Sequence, residues 1–158
     1  MSGTRRAAWA GAAAVLLAFT CSPAPTTVEV VAVHDGDTVT ILSGREQVRV
    51  RLACIDAPEH GQAFGSRARQ KLSDLVMRRH VTMDVIDLDD YGRTVARLLL
   101  DGDDVNLAMV RAGLAWHYRH HCPDDRALAD AEAAARRDRR GLWADARPEA
   151  PWEWRRHR

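Results

Sequence analysis

Residues 27–55, TVEVVAVHDGDTVTILSGREQVRVRLACI, decide the fold of this chain. Three runs of β-branched or alternating residues, at 27–33, 38–42 and 47–55, are separated by Asp-Gly and Ser-Gly turn sequences. In the third run, arginines alternate with apolar residues, which is typical of a strand with one buried face. The stretch therefore predicts three short strands, of which the second and third form a hairpin.

The rest of the chain adds two strands and then helices. The residues at 81–88 and 93–100 predict a fourth and a fifth strand. Apolar residues at helical spacing predict helices at 66–77, 105–112 and about 125–140. Five short strands with few helices indicate a mainly β domain of the α+β class, in which a small antiparallel barrel is flanked by about three helices.

The composition excludes some classes of protein. The chain has 158 residues, of which 46% are apolar and 28% charged, as in one ordinary globular domain. Its net charge of +1 excludes a protein that holds nucleic acid through bulk positive charge alone. Lys71 is the single lysine, so we expect arginines to make any phosphate contact.

The N-terminal segment predicts export. Arg5 and Arg6 precede an uncharged run at residues 7–20, which is shorter than the roughly 18–20 residues that span a bilayer. A positive start and a short apolar run are typical of a signal peptide, so we assign residues 1–25 to a signal peptide and linker. Cys21 follows the apolar run as in bacterial lipoproteins, and its lipidation, which would attach the protein to a membrane, is the alternative to simple cleavage.

Two further cysteines remain after such processing. In an oxidising compartment Cys54 and Cys122 can form a disulfide. The alternative is that Cys54 is a small buried apolar residue and Cys122 a loop thiol. The sequence leaves this choice open. Because His120, His121 and Cys122 are adjacent, they are poorly arranged to bind one tetrahedral metal ion.

Carboxylates and guanidiniums gather in the turns and strand ends, at Asp35, Asp37, Arg51, Asp56, Glu59 and Arg93. Carboxylates at strand ends can converge on Ca²⁺ or Mg²⁺, which prefer oxygen ligands. Two guanidiniums can bind a phosphate and neutralise charge on its oxygens. A carboxylate that does not bind the metal can orient or deprotonate water. The set therefore supplies the groups needed for metal-assisted phosphodiester hydrolysis.

These motifs resemble the staphylococcal nuclease family. The matching segments occur in one order over about residues 28–143, namely at 35–39, 51–52, 55–59, 90–93, 105–115 and 141–143. The resemblance implies an OB-fold barrel with three helices and a Ca²⁺-dependent nuclease acting on DNA and/or RNA, as a monomeric endonuclease without a stable protein partner. It assigns residues 26–145 to the nuclease domain and leaves 146–158 as a tail rich in Trp and Arg.

The resemblance also implies a set of metal ligands and a base. Asp37 and Asp56 are the expected carboxylate ligands of Ca²⁺, and the backbone carbonyl of Ala57 is a third ligand. Asp35 is expected to support the ion through water. Glu59 is the expected general base or the residue that orients the attacking water.

The remaining residues implied by the family contact the substrate. Arg51 and Arg93 are expected to bind the scissile phosphate and stabilise the transition state. Tyr91, Tyr118 and His121 are the expected substrate-binding residues. For Tyr118 and His121 a stacking role stands beside the alternative that they pack against the connection to the third helix.

The alternative function is a catalytically inactive domain of the same fold that only binds nucleic acid or protein. Inactive copies of this domain lose some of the reactive set, whereas this chain retains all of it, at Asp37, Arg51, Asp56, Glu59 and Arg93. The near-zero net charge also argues against a protein that only binds nucleic acid. The sequence therefore favours the nuclease.

Overall fold

The computed structural model describes residues 26–157. Within them the strands are β1 (Thr26–Val33), β2 (Thr38–Ser43), β3 (Glu46–Leu52), β4 (Ile55–Asp56), β5 (His80–Leu88), β6 (Thr94–Leu100), β7 (Asp103–Asp104) and β8 (Trp116–His117). The helices are α1 (Gly65–Val76), α2 (Val105–Arg111), α3 (Arg126–Arg137), a 3₁₀ helix (Gly141–Ala144) and α4 (Pro151–Arg156).

Five of the strands close into a barrel, in the order β3-β2-β1-β5-β6, with β3 pairing β6. The predicted α+β class and OB-fold barrel are confirmed. The expectation of a purely antiparallel barrel is wrong, because β3 and β6 pair in parallel from Val50 opposite Thr94 to Leu52 opposite Ala96. In a closed ring with an odd number of strands, directions cannot alternate throughout, so at least one neighbouring pair must be parallel.

The third predicted strand is interrupted before its end. β3 stops at Leu52, and Cys54 adopts a left-handed conformation with φ of 65°, which no regular strand accommodates. The chain then pairs β4 with β8, Asp56 lying opposite Trp116. This break takes Asp56 out of the barrel and places it in a separate two-stranded sheet beside the barrel end.

The core fills the barrel and the space under the helices. Ile41, Val50 and Leu98 are fully buried inside the barrel, and α1 contributes Ala68 and Leu72 on the face that covers it. Burial of these apolar side chains is the main favourable contribution to folding. The barrel is therefore a rigid support for the turns at its end.

Buried and half-buried polar side chains fix α2 and α3 on the barrel. Asn106 accepts a hydrogen bond from the backbone N–H of Leu98 and donates to the carbonyl of Ala53. Arg97 of β6 pairs with both Asp104 and Asp125, which are the N-terminal caps of α2 and α3. One arginine thus joins the starts of two helices to one strand. The two ion pairs offset the free-energy cost of partly burying these charges.

The C-terminal segment folds onto the domain. The 3₁₀ helix buries Leu142 and Trp143, as their apolar character predicts. The predicted tail at 146–158 contains the helix α4, which six residues were too few to predict from periodicity. Trp152 of α4 packs edge-on against Trp116, with ring centroids 5.5 Å apart.

Cys54 and Cys122 form a disulfide, which resolves the alternative that the sequence left open. Their Cα atoms lie 5.4 Å apart across a sequence separation of 68 residues. The bond ties the turn between β3 and β4 to the loop before α3. It therefore holds in place the backbone that precedes Asp56.

Removing this disulfide is expected to lower stability substantially. Loop-closure entropy for a loop of this length corresponds to about 4 kcal/mol in the unfolded state. We expect the free energy of unfolding of the double variant Cys54→Ser/Cys122→Ser to be lower by roughly that amount. Its unfolding midpoint should therefore fall at a lower denaturant concentration. Reduced wild-type protein is the matched control and should behave alike. An unchanged unfolding midpoint in both samples would contradict the pairing.

The predicted signal segment, residues 1–25 with Cys21, lies outside the described residues, so export and lipidation stay predictions. Within residues 26–157, no helix has the length and apolar character needed to cross a membrane.

Candidate active site

The predicted charged residues meet in one cleft at the end of the barrel. The cleft has a volume of about 710 Å³. Six of its lining residues are Asp35, Asp37, Arg51, Asp56, Glu59 and Arg93, which the sequence assigned to a common site. They come from turns and strand ends that are separate in the sequence but line the same cleft.

Asp37 lines the cleft and is held by its neighbours. It is 6% exposed, and its Oδ2 accepts a hydrogen bond of 2.8 Å from the backbone N–H of Ala57. Its Oδ1 accepts another from the hydroxyl of Thr38. The bond from Ala57 joins the turn after β1 to the turn after β4, so the predicted ligands Asp37 and Ala57 are neighbours.

Arg51 of β3 bridges the two predicted metal-binding carboxylates. Its Nη2 lies 3.1 Å from Asp56 Oδ1 and 3.8 Å from Asp37 Oδ2. Since Arg51 sits between Asp37 and Asp56 at these distances, the two carboxylates face the same small volume. The side chain of Asp56 is only 1% exposed, so its charge is poorly screened by water.

Crowding of carboxylates disturbs their protonation. Burial, followed by the charge of Asp37, raises the pKa of Asp35 to about 7. Burial also raises the pKa of Asp56. The charge of Asp37 raises this pKa further, whereas Arg155 and Arg51 lower it in part. The charges of neighbouring carboxylates repel one another, and a bound cation would relieve that repulsion.

The donor chemistry fits a hard divalent cation. Carboxylate oxygens and a backbone carbonyl are the ligands that Ca²⁺ prefers. Across residues 26–157, no three or more His, Cys, Asp or Glu side chains gather into a metal site by themselves. The nearby oxygen donors are the carboxylates of Asp37 and Asp56 and the backbone carbonyl of Ala57, whose N–H bonds Asp37.

Arg93 is oriented by a partner that sequence reasoning missed. Its Nε donates to Asp89 Oδ2 at 2.6 Å, and Asp89 Oδ1 accepts from the backbone N–H groups of Tyr91 and Arg93. Burial alone would raise the pKa of Asp89, but the bonds from Arg93 and Tyr91 lower it overall. Asp89 therefore fixes one edge of the Arg93 guanidinium at the rim.

The three predicted substrate-binding residues fall in two places. Tyr91 lines the cleft, is 85% exposed and has Arg93 over its ring at 5.5 Å. Tyr118 lies in an adjacent aromatic cluster, where it contacts His121 at 4.9 Å and Trp152 at 5.6 Å between ring centroids. The structure thus places Tyr91 in the cleft, and Tyr118 and His121 beside it.

Arg155 also reaches the cleft, and sequence reasoning did not assign it. It extends from α4, and its Nη2 lies 2.7 Å from Asp56 Oδ2 while its Nη1 lies 2.5 Å from Glu59 Oε1. Hydrogen bonds to Asp56, and then to Glu59, raise the pKa of Arg155. The Trp- and Arg-rich composition of the tail was the available signal, but a separation of 99 residues from Asp56 hid the contact.

Fold and site together define an OB-fold protein whose cleft combines buried carboxylates with arginines, a combination suited to phosphoester substrates. A profile of staphylococcal nuclease homologues matches residues 49–145. The chain is 48% identical to "Micrococcal nuclease" of Shigella flexneri over 138 residues, which cover 81% of this chain and 79% of that protein.

Two other relatives are similar over most of their length. "Protein ParB" of Escherichia coli is 45% identical over 93% of this chain and 89% of its own length. An "Uncharacterized endonuclease" of Haemophilus influenzae is 42% identical over 90% of this chain and 82% of its own length. The chain therefore belongs to the staphylococcal nuclease family, and this membership supports a nuclease that acts on nucleic acid.

Proposed function

We propose that the protein is a Ca²⁺-dependent nuclease of the thermonuclease type, which hydrolyses phosphodiester bonds of DNA and/or RNA as a monomeric endonuclease. The observation that carries this proposal is the Arg51 bridge between Asp37 and Asp56, in a cleft that also holds Glu59 and Arg93. A binding-only protein has no need for two buried carboxylates that face one cleft, whereas a cation-assisted hydrolase does.

The carboxylates and the backbone would hold the cation. Asp37, Asp56 and the carbonyl of Ala57 are the proposed ligands, and Asp35 would bind through water. When bound, Ca²⁺ would supply positive charge to a phosphate oxygen and so polarise the phosphorus for attack. Because Asp37 also receives the Ala57 N–H, its carboxylate is already oriented before any cation arrives.

Glu59 and the two arginines would perform the remaining steps. Glu59, whose side chain is 35% exposed, can reach water in the cleft and accept its proton as the oxygen attacks phosphorus. Arg51 and Arg93 would donate hydrogen bonds to the phosphate oxygens as negative charge develops there. Arg93, fixed by Asp89 at the rim, would also assist departure of the leaving oxygen.

The experiment that tests this function is digestion of circular plasmid and of RNA with Ca²⁺, with Mg²⁺ and with excess chelator. We expect cleavage with Ca²⁺ and none with chelator. Conversion of the circle to linear and shorter products identifies endonuclease action, since an exonuclease needs an end. Binding of both nucleic acids without cleavage in any buffer would favour the inactive alternative.

We also propose that the protein is exported. The Cys54–Cys122 disulfide supports this, because such bonds persist in oxidising compartments. Mass spectrometry of the protein from its native host is expected to show that residues 1–20 are missing. A diacylglyceryl mass on Cys21 would select the lipid-anchored form, and an intact N-terminus in the cytosol would contradict export.

A further inference from the structure

Arg155 occupies the oxygens that the proposed cation needs. Asp56 Oδ1 accepts from Arg51 Nη2 at 3.1 Å and from Arg155 Nη1 at 3.2 Å, while Asp56 Oδ2 accepts from Arg155 Nη2 at 2.7 Å. A carboxylate offers about four lone-pair positions, two on each oxygen. Three of the positions on Asp56 are therefore taken by guanidinium groups, two of them by Arg155.

The same guanidinium holds the proposed base. Arg155 Nη1 lies 2.5 Å from Glu59 Oε1, and the side chain of Arg155 is 44% exposed. The pair occupies an oxygen of Glu59 that water in the cleft would otherwise contact. Arg155 therefore acts on a proposed metal ligand and on the proposed base at once.

The position of Arg155 is set by a docked segment. Gln62, which is 6% exposed, donates to the carbonyl of Glu149 at 2.8 Å and accepts from the backbone N–H of Glu59 at 2.9 Å. One buried side chain thus ties the C-terminal segment to the Glu59 turn. Pro151 at the start of α4 is buried, and Trp152 packs against Tyr118.

We propose that Arg155 and a divalent cation compete for the carboxylate of Asp56, so that the docked C-terminal helix lowers the cation affinity of the nuclease site. The inference rests on the proposed function, because it needs a cation at Asp56. Both competitors are positive and require the same lone pairs, so each weakens the binding of the other by the same factor.

The test is the Ca²⁺ dissociation constant of the exported chain, measured by calorimetry without substrate. We expect Arg155→Gln to bind Ca²⁺ about tenfold more tightly than wild type, since charge-assisted hydrogen bonds to Asp56 no longer have to be broken. Arg155→Lys retains the charge but cannot bond both carboxylates with a planar fork, so its affinity should lie between the two.

Arg156→Gln is the matched control. It removes one positive charge from the same helix, but Arg156 pairs with Glu153 and makes no contact with the cleft carboxylates. Its Ca²⁺ affinity should equal that of wild type. Melting curves without Ca²⁺ on all variants establish that each is folded before its affinity is compared.

The outcomes separate this inference from the proposed function. Ca²⁺ binding by wild type, with equal or weaker binding by Arg155→Gln, would overturn the competition and leave the Ca²⁺ site intact. If Arg156→Gln binds Ca²⁺ as much more tightly as Arg155→Gln does, the gain in affinity comes from the general loss of positive charge. That result would also overturn the competition. Absence of Ca²⁺ binding by every protein would instead overturn the Ca²⁺ site itself, and with it the competition. Unchanged affinity with a lower kcat at saturating Ca²⁺ would make Arg155 a positioning residue for substrate or Glu59.

Discussion

Asp37→Asn is expected to abolish metal-dependent cleavage without unfolding the protein. The amide keeps the shape of the side chain, and its oxygen can still accept from the Ala57 N–H at the position that Oδ2 holds now. It removes a charged ligand of the proposed cation, and loss of the charge stabilisation that a cation gives the transition state corresponds to a fall in kcat of about 10³-fold or more.

The thermal stability of Asp37→Asn should not fall with its activity. Because the Asp37 charge raises the pKa of both Asp35 and Asp56, its removal relieves repulsion between buried carboxylates. We expect the melting temperature of Asp37→Asn to equal or exceed that of wild type at neutral pH. Asp37→Ala should also be inactive but less stable, since the buried N–H of Ala57 loses its partner at a cost of about 1–3 kcal/mol.

The checks are plasmid cleavage rates, Ca²⁺ titration and melting curves, measured on the same samples of wild type, Asp37→Asn and Asp37→Ala. Glu46→Gln is the control, because it removes one negative charge from an exposed position at the start of β3. Near wild-type cleavage by Asp37→Asn would remove Asp37 from the ligand set. A parallel loss of activity in Glu46→Gln would assign the effect to overall charge.

Arg51→Lys and Arg93→Lys are expected to lower kcat by about 10²–10³-fold. A planar guanidinium can make paired hydrogen bonds to a phosphate, whereas an ammonium is a point charge that loses the second contact. Both arginines also bond a carboxylate, Arg51 that of Asp56 and Arg93 that of Asp89, and a lysine cannot bond the same carboxylate and a phosphate with a fixed fork.

Kinetics on a defined oligonucleotide at saturating Ca²⁺ give kcat and KM for these variants. Arg45→Lys, in the exposed turn between β2 and β3, is the control for the loss of one guanidinium. A kcat near wild type for either site variant would reduce that arginine to a surface charge. Unfolding of both variants in melting curves would make the two arginines structural.

Glu59→Gln should also lower kcat, since the amide cannot accept a proton.

The acidic turns could be predicted because each is encoded within a few residues. The Asp-Gly-Asp sequence at 35–37 and the Asp-Ala-Pro-Glu sequence at 56–59 end short strands, and the strand pattern places both turns at strand ends. The resemblance to a family added the expected role of each side chain. The pairing of Asp89 with Arg93 is also local, since Asp89 lies four residues before Arg93 in the same turn.

Three features depend on which distant segments pack together, and no local pattern encodes them. The parallel pairing of β3 with β6 follows from barrel closure. The disulfide joins Cys54 to Cys122 across 68 residues. Arg155 meets Glu59 across a separation of 96 residues, on a helix too short to leave a periodic signal.

The sequence by itself determined the strands, the turns and the residue types at the cleft, because side-chain alternation and turn chemistry act over a few residues. Only the tertiary structure decided which charges meet. Asp56 lies between Arg51 from the barrel and Arg155 from the C-terminal helix because the break at Cys54 takes it out of the barrel and α4 docks over it. Contacts of this kind are set by the closure and packing of the whole chain, so they appear only once the barrel and its helices are assembled.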